Sequence, residues 1–216
     1  MTMRMVFCVS GGGHLFKAAV RNRERLDIEP ALLIVRPKAS ADLEAFCEEH
    51  GVAMVRLPVM PRPQFDETLA TLCRDAAPDL ISLTFDRLLT EEFVTTYARR
   101  IINVHPSLLP AFIGVDPVQA ALASSVRMSG CTIHEVIYEL DAGPIIAQCV
   151  TPILPGDTRE SWGNRMYRLL EPMYLQVLSW YREGRIEHGS DGRITVRDAD
   201  YDSLPIAPKL ERFSVA

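Results

Sequence analysis

The stretch MVFCVSGGGH, residues 5–14, decides the fold because it joins an apolar run to a helical pattern through three glycines. The run from Met5 to Val9 has the length and composition of a buried strand. A strand that leads through a short turn into a helix is the first part of a β-α-β unit. The stretch therefore predicts an α/β fold that begins at the N-terminus.

The same alternation continues through the first half of the chain. Strand-like apolar runs recur, and helical patterns lie between them; we place the strands at 31–35, 52–57, 79–85 and 100–105 and the helices at 41–50, 65–76 and 91–99. Gly51 is typical of the residue that follows a helix end. Strands that alternate with helices of this length predict an open, mostly parallel, twisted sheet flanked by helices, in a Rossmann-like arrangement.

The second half has a different pattern. Residues 106–117 contain three prolines and are too broken for a helix. Two long strands, 129–138 and 145–153, flank the turn Asp141-Ala142-Gly143-Pro144 and are expected to pair antiparallel. Asp157 and Glu160 suggest a capping box for a long helix toward Trp180, and Pro172 is expected to kink or split that helix. Short strands are expected at 186–188 and 194–197.

We therefore expect one α/β domain over residues 1–216, with two distinct halves. Residues 1–105 form the Rossmann-like half with the glycine loop. Residues 106–216 form a loop, the antiparallel strands, the long helix and a tail. A chain of this length buries a core that can carry a deep ligand cleft.

Composition narrows the class of protein. Lys and Arg total 23 against 28 Asp and Glu, a net charge of −5, which argues against nucleic acid as a partner. No apolar run approaches the length of a membrane span, and the N-terminus lacks the pattern of a secretory signal. The 5 cysteines are scattered without a CxxC pair, as expected for reduced thiols in the cytoplasm and not for a metal site.

Asn103 and His105 are the first candidates for chemistry. They lie two residues apart at the end of a predicted strand, so both side chains point to one face. Ligands of open parallel sheets bind beyond the carboxyl ends of the strands. An amide beside an imidazole there could stabilise an oxyanion and move a proton. The alternative is an asparagine that makes a turn and a histidine that packs in the core.

The glycine loop and Asp141 each leave two interpretations open. Gly11, Gly12 and Gly13, followed by His14, could cradle a phosphate or carboxylate at a helix N-terminus, or could form a simple tight turn. The loop is not GxGxxG, and Val35-Arg36-Pro37 ends the second strand without an acidic residue, so a dinucleotide site is poorly supported. Asp141 alone is a common turn residue.

Three motifs together resemble the folate-dependent formyltransferases. They are NVHPSLLP at residues 103–110, GCTIH at 130–134 and LDAGPII at 140–146. The likeness extends over nearly the whole chain, and an eight-residue string such as the first is hard to obtain by chance. The resemblance implies an enzyme with the Rossmann-like fold of that family.

The resemblance implies that the formyl group of 10-formyltetrahydrofolate passes directly to a primary amine, without a metal or a covalent intermediate. Asn103 would donate a hydrogen bond to the oxyanion, and His105 would pair with that oxyanion and help relay the amine proton through water. Asp141 would orient His105 and favour its protonated form. His134, inside the second motif, would be structural.

By the same resemblance, two segments would hold the folate. They supply Phe85, Arg87, Leu88 and Leu89 before the Asn103 strand, and Val136, Tyr138, Glu139 and Leu140 in the turn that carries Asp141. Thr84 and Asp86 depart from the family pattern, which usually has glycine and an apolar residue at those positions.

The acceptor side departs further from the pattern. The resemblance places the acceptor at Gly11, Gly12, Gly13, His14 and Glu171. His14 and Leu15 replace a Ser-Asn pair that grips a phosphate, and Leu170 stands where a ribose-binding glutamate is expected.

The expected partners are folate and a small-molecule amine, either phosphoribosylglycinamide, used in purine biosynthesis, or a related small amine. Three alternatives stay open: transfer to a different amine such as an amino sugar or biosynthetic intermediate, hydrolysis of formyltetrahydrofolate, and non-enzymatic folate or nucleotide binding. The joint presence of Asn103, His105 and Asp141 argues against the last. We expect a monomer or a homodimer.

Overall fold

The computed structural model describes residues 1–215 and divides the chain into two compact units. The first unit is Met1–Asn103, and the second begins at Val104. Strand β5 spans this boundary, since it runs over Ile101–His105.

The first unit is a parallel α/β sheet with helices between its strands. Its strands are β1 (Met3–Val9), β2 (Ile28–Val35), β3 (Met54–Arg56), β4 (Leu80–Thr84) and β5, in the order β3-β2-β1-β4-β5. Its helices are α1 (His14–Arg21), α2 (Arg23–Leu26), α3 (Asp42–His50), α4 (Arg62–Ala76) and α5 (Glu91–Thr96). Every strand pair given for this unit is parallel. The sheet predicted from the alternating pattern is confirmed.

Apolar packing stabilises this unit. Strand β1, which is buried along nearly its whole length, lies at its centre. The ring of Phe7 meets that of Phe16 on α1 edge to face, at 5.2 Å between centroids. Burial of each large apolar side chain contributes roughly 1.5–3 kcal/mol. Backbone bonds from Ser10 N to Thr84 O and from Arg36 N to Val9 O, both 3.1 Å, hold together the carboxyl ends of β1, β4 and β2. The glycine loop starts from this fixed edge.

The second unit is antiparallel. Strands β6 (Met128–Glu135), β7 (Ile145–Pro152) and β10 (Ile206–Ala207) lie in the order β6-β7-β10, and β8 (Ile186–His188) pairs with β9 (Ile194–Val196) in a separate hairpin. Helix α6 (Pro117–Ala123) precedes β6, and α7 (Arg159–Arg182) follows β7. The predicted fold class, a mostly parallel α/β sheet with antiparallel strands toward the C-terminus, is therefore confirmed.

Three local predictions need correction. Strand β6 ends at Glu135 instead of 138, because Glu135 N donates to Pro144 O and closes the turn there. Helix α7 is not split at Pro172, which lies buried inside it, since tertiary packing outweighs the lost hydrogen bond. Its capping box is Thr158 with Ser161, not Asp157 with Glu160.

Several element boundaries in the first unit also differ from the prediction: β2 begins at Ile28 instead of 31, and α5 ends at Thr96 instead of 99. Helix α4 begins at Arg62, three residues before the predicted start, because Pro63 lies in its first turn, where a missing N–H costs nothing. Strand β3 is limited to Met54–Arg56, shorter than the predicted 52–57. Among residues 1–215, no helix is both long enough and apolar enough to cross a membrane.

Candidate active site

His105 ends β5 with its ring held between two acceptors. Its Nδ1 lies 3.3 Å from Asp141 Oδ2, and its Nε2 lies 2.9 Å from the main-chain oxygen of Phe112. The side chains of His105 and Asp141 are 6% and 8% exposed. Both neighbours are acceptors, so a proton on either ring nitrogen faces an oxygen.

Both residues that meet the His105 ring have left-handed backbone. Phe112 has φ 56° and Asp141 has φ 51°. Aspartate tolerates this region, whereas a bulky residue such as phenylalanine rarely adopts it, at a cost of about 1–2 kcal/mol. Strain of this kind concentrates at sites where geometry serves function. Here it aims the Phe112 carbonyl at the ring.

Asp141 is also held by its other neighbours. Its Oδ2 accepts a hydrogen bond from Gly114 N at 3.2 Å, and its Oδ1 lies 3.8 Å from His134 Nε2. His134 Nδ1 lies 2.9 Å from the carbonyl oxygen of Glu135, so Nδ1 carries the proton. Burial lowers the pKa of His134 and favours its neutral form. Asp141 thus accepts from one backbone N–H and lies between two imidazole rings.

Side chains of β6 and β7 fix the segment that follows His105. Thr132 Oγ1 donates to Ser107 O at 2.7 Å and accepts from Leu109 N at 3.0 Å. Gln148 Nε2 donates to Thr132 Oγ1 at 2.9 Å and to Leu109 O at 3.1 Å. No sequence motif pointed to Gln148 or to the Phe112 carbonyl. Thr132 belongs to the GCTIH motif, which was a signal for its role.

Asn103 lies at the end of the first unit. It is half-buried on β5, opposite Leu83 of β4 in the parallel register. Strand alternation places its side chain on the same face of β5 as that of His105, two residues later. Its predicted contact with the oxyanion stays a prediction.

The predicted folate residues of the first unit follow β4 directly. The Phe85 ring stacks on Phe65 at 5.9 Å, and the Arg87 guanidinium lies 5.6 Å from the same ring. Leu88 is 56% exposed, and Leu89 is half-buried. An exposed leucine beside a cation over an aromatic ring suits an apolar ligand that carries a carboxylate.

The predicted folate residues of the second unit lie in the turn between β6 and β7. Val136 is half-buried, Glu139 is exposed, and Tyr138 and Leu140 are 65% and 47% exposed. Exposed large apolar side chains next to a buried ion pair are typical of a ligand-binding rim. Their role in folate binding stays a prediction.

The fold requires one glycine of the loop, Gly13, but not the other two. Gly13 has φ 68°, and a Cβ there would lie 2.7 Å from Leu43 Cδ2, so the fold requires glycine. A Cβ on Gly11 or Gly12 would meet nothing within 4 Å. Because the fold does not require these two glycines, their open surface is suited to close approach of a ligand. His14 is exposed and begins α1.

A carboxylate lies beside this loop. Asp86 Oδ1 accepts a hydrogen bond from Ser10 Oγ at 2.7 Å, and Asp86 N donates to the same Ser10 Oγ at 2.9 Å. Arg36 Nε lies 3.4 Å from Asp86 Oδ1, and the Asp86 side chain is 65% exposed while that of Arg36 is 13% exposed. In the sequence, Asp86 stands out only as a departure from the family pattern. The structure makes it a neighbour of the glycine loop.

Comparison with known proteins places this geometry in a family. The model of the family described as formyl transferase matches residues 3–178. The chain belongs to the formyl transferase family. The match begins in β1 and ends in α7, so it includes the glycine loop, His105 and Asp141. The predicted family, and with it the prediction of an enzyme, are confirmed.

Relatives of this formyl transferase include both single enzymes and parts of larger proteins. It is 31% identical over 193 residues to phosphoribosylglycinamide formyltransferase of Escherichia coli K12. The alignment covers 86% of this chain and 90% of that protein. It is 29% identical over 197 residues to the chicken trifunctional purine biosynthetic protein adenosine-3, covering 89% of this chain. The chain spans 20% of the length of that protein.

Solved structures show the same fold. Phosphoribosylglycinamide formyltransferase from Anaplasma phagocytophilum superimposes with a TM-score of 0.83 at 30% identity, covering 93% of this chain and 97% of that one. A formyltetrahydrofolate deformylase from Pseudomonas syringae also gives 0.83, at 26% identity, covering 92% of this chain and 67% of that one. Formyl transferase architecture is therefore shared by proteins that carry different names.

The remaining predicted acceptor residue of this formyl transferase lies on α7. Glu171 is half-buried there, next to Leu170, which is 2% exposed and belongs to the core. Leu15 on α1 is likewise 4% exposed, so only its backbone is left for a ligand at the loop. Both leucines are thus fixed by packing, and neither can supply the polar contact that the family pattern has at its position.

Cysteine chemistry has little support in this formyl transferase. All 5 cysteines are buried and free. Burial raises the pKa of Cys73 and of Cys149 to about 12 and that of Cys8 and Cys131 well above its usual value. Thiolates are the nucleophilic form, so burial disfavours the reactive form of these thiols. Within residues 1–215, no group of three or more His, Cys, Asp or Glu side chains is placed to hold a metal ion.

Proposed function

We propose that this protein transfers the formyl group of 10-formyltetrahydrofolate to the nitrogen of a primary amine, either phosphoribosylglycinamide or a related small amine. The observation that carries the proposal is the buried His105–Asp141 pair, at 3.3 Å, in a chain of the formyl transferase family. The named relatives that act on phosphoribosylglycinamide support that acceptor.

The transfer needs a stabilised oxyanion and a path for one proton. The amine nitrogen attacks the formyl carbon, a C–N bond forms, and the carbonyl oxygen becomes an oxyanion. Asn103 would donate to this oxygen, and cationic His105 would pair with it. The bond to the folate nitrogen then breaks. The proton lost by the amine passes through water to that nitrogen; His105 would relay it by giving up one ring proton and accepting another, and Asp141 would orient the ring.

The glycine loop favours an acceptor whose anionic part is small or differently placed. A phosphate at Gly11 and Gly12 would meet backbone N–H groups and the start of α1, which are favourable. It would also approach the exposed carboxylate of Asp86, whose repulsion is only partly offset by Arg36, 3.4 Å away. Formyl transfer to an amine other than phosphoribosylglycinamide, such as an amino sugar, is therefore the rival within this proposal.

A screen of amines with 10-formyltetrahydrofolate tests the proposal. Formylated amine and free formate are measured side by side, with phosphoribosylglycinamide, amino sugars and other small amines as acceptors. We expect formylated product to exceed formate for at least one acceptor. Formate release at the same rate with and without every acceptor would contradict the proposal. It would instead support hydrolysis, the activity named for the deformylase of the same fold.

A further inference from the structure

A second polar cluster lies in the second unit, and the proposed reaction does not use it. The Glu135 carboxylate accepts a 2.7 Å hydrogen bond from Tyr181 Oη, and each of its oxygens lies 3.0 Å from His188 Nε2. Tyr181 belongs to the last turn of α7, and His188 ends β8. The side chain of Glu135 is 4% exposed and that of His188 is 24% exposed. We refer to these three residues as the Glu135 cluster.

The Glu135 cluster lies on the opposite side of β6 from Asp141. Neighbouring residues of a strand point to opposite faces, so His134 faces Asp141 while Glu135 faces α7 and β8. Removing a carboxylate from water is costly, and a well-packed apolar residue commonly stabilises such a position at least as well. Burial and the neighbouring Glu135 charge raise the pKa of Tyr181, which therefore stays a neutral donor. Stability alone therefore does not explain why a carboxylate is buried at position 135.

The backbone of Glu135 closes the turn that carries Asp141. Its N–H donates to Pro144 O at 3.0 Å, and its carbonyl oxygen lies 2.9 Å from His134 Nδ1. A Cβ on Gly143 would lie 1.7 Å from that same oxygen, so the two ends of the turn touch. Any movement of residue 135 is therefore passed to residues 136–144.

We infer that Glu135 is a positioning residue for Asp141, because its carboxylate, clamped by Tyr181 and His188, anchors the closed end of the turn. The inference rests on the proposed function only in that Asp141 serves the transfer through His105. Misplacement of a reacting group by about 1 Å can lower a rate by roughly 100-fold, so an anchor on the far side of the strand can matter to turnover.

Four variants test this role. Glu135→Ala removes the anchor, Glu135→Gln keeps an acceptor for Tyr181, and Tyr181→Phe removes one of the two clamps. Glu187→Gln is the matched control, because Glu187 lies beside His188 on β8 but is half exposed and pairs with Arg197 at 3.3 Å. The first readout needs no substrate: the NMR resonance of the His105 Nδ1 proton, which faces Asp141. The second is kcat and KM for formyl transfer.

We expect Glu135→Ala to shift or broaden the His105 Nδ1 proton resonance and to lower kcat about tenfold or more. Glu135→Gln should restore most of both signals, Tyr181→Phe should fall between them, and Glu187→Gln should match the parent protein. An unchanged resonance and kcat in Glu135→Ala, with only the melting temperature lowered, would overturn the inference and leave the cluster as a tether for the β8–β9 hairpin. A shifted resonance without formylation by any protein, parent included, would support the positioning role and contradict the proposed function.

Discussion

His105 Nδ1 lies 3.3 Å from Asp141 Oδ2, although 36 positions separate the two residues in the sequence. Asp141 reaches this place because the turn between β6 and β7 gives it a left-handed backbone, with φ 51°. The opposite edge of the ring meets the Phe112 carbonyl, so the ring is held from both sides. A histidine held in this way keeps its ring at a fixed place, which the proposed transfer requires.

Asp141→Asn should lower kcat by about 100-fold or more, a typical contribution of acid–base catalysis. Asparagine keeps the shape of the side chain and tolerates left-handed backbone, so the change removes the charge with little strain. The measurement is kcat at saturating donor and acceptor, with the melting temperature as a check on folding. A variant that folds and stays within about threefold of the parent kcat would contradict the role of the pair.

Asn103→Ala and His105→Ala should each lower kcat by about 100- to 1,000-fold, with folate binding largely intact. Both groups would act on charge that develops only in the transition state, so the loss belongs in kcat. Steady-state kinetics and direct folate titration measure the two effects separately. Asn164→Ala, an exposed asparagine of α7, is the control. Loss of folate affinity with normal turnover at saturation would show that these residues bind folate instead.

Asp86→Asn should lower KM for phosphoribosylglycinamide by about three- to tenfold, because it removes a carboxylate beside the glycine loop. Before that change we expect a KM well above that of typical relatives, since His14 and Leu15 replace the Ser-Asn pair and the Leu15 side chain offers no donor. Glu67→Gln removes the same charge from an exposed position on α4 and should have no effect. A low-micromolar KM in the parent protein would mean that His14 binds the phosphate.

Stability should decrease as pH falls below about 6.5, in part through His134. Burial lowers the pKa of His134 in the folded state from its ordinary value of 6.5. Between the folded-state and unfolded-state pKa values of His134, the unfolded chain binds more protons than the folded one. The contribution of His134 to stability is therefore fully present above pH 6.5 and is lost as the pH falls toward the folded-state pKa. Urea unfolding between about pH 7.5 and pH 5 measures the slope.

His134→Gln should reduce that slope, because glutamine can donate to the Glu135 carbonyl and does not titrate. His14→Gln, at an exposed histidine, should leave the slope unchanged. Equal slopes in the parent protein and in His134→Gln would show that His134 does not control stability over this range of pH.

Sequence alone determined the α/β class, since β1, the glycine turn and α1 are local features with strong periodicity and turn chemistry. It also determined the family, because the NVHPSLLP string is recognisable from the sequence alone. Tertiary structure alone decided what meets the His105 ring. Phe112 and Asp141 reach it through left-handed backbone and loop closure, which depend on contacts far apart in sequence. The same holds for Glu135 with Tyr181 and His188, and for Asp86 beside Ser10. The hydrogen bond from Glu135 N to Pro144 O set the end of β6, and burial kept α7 unbroken through Pro172.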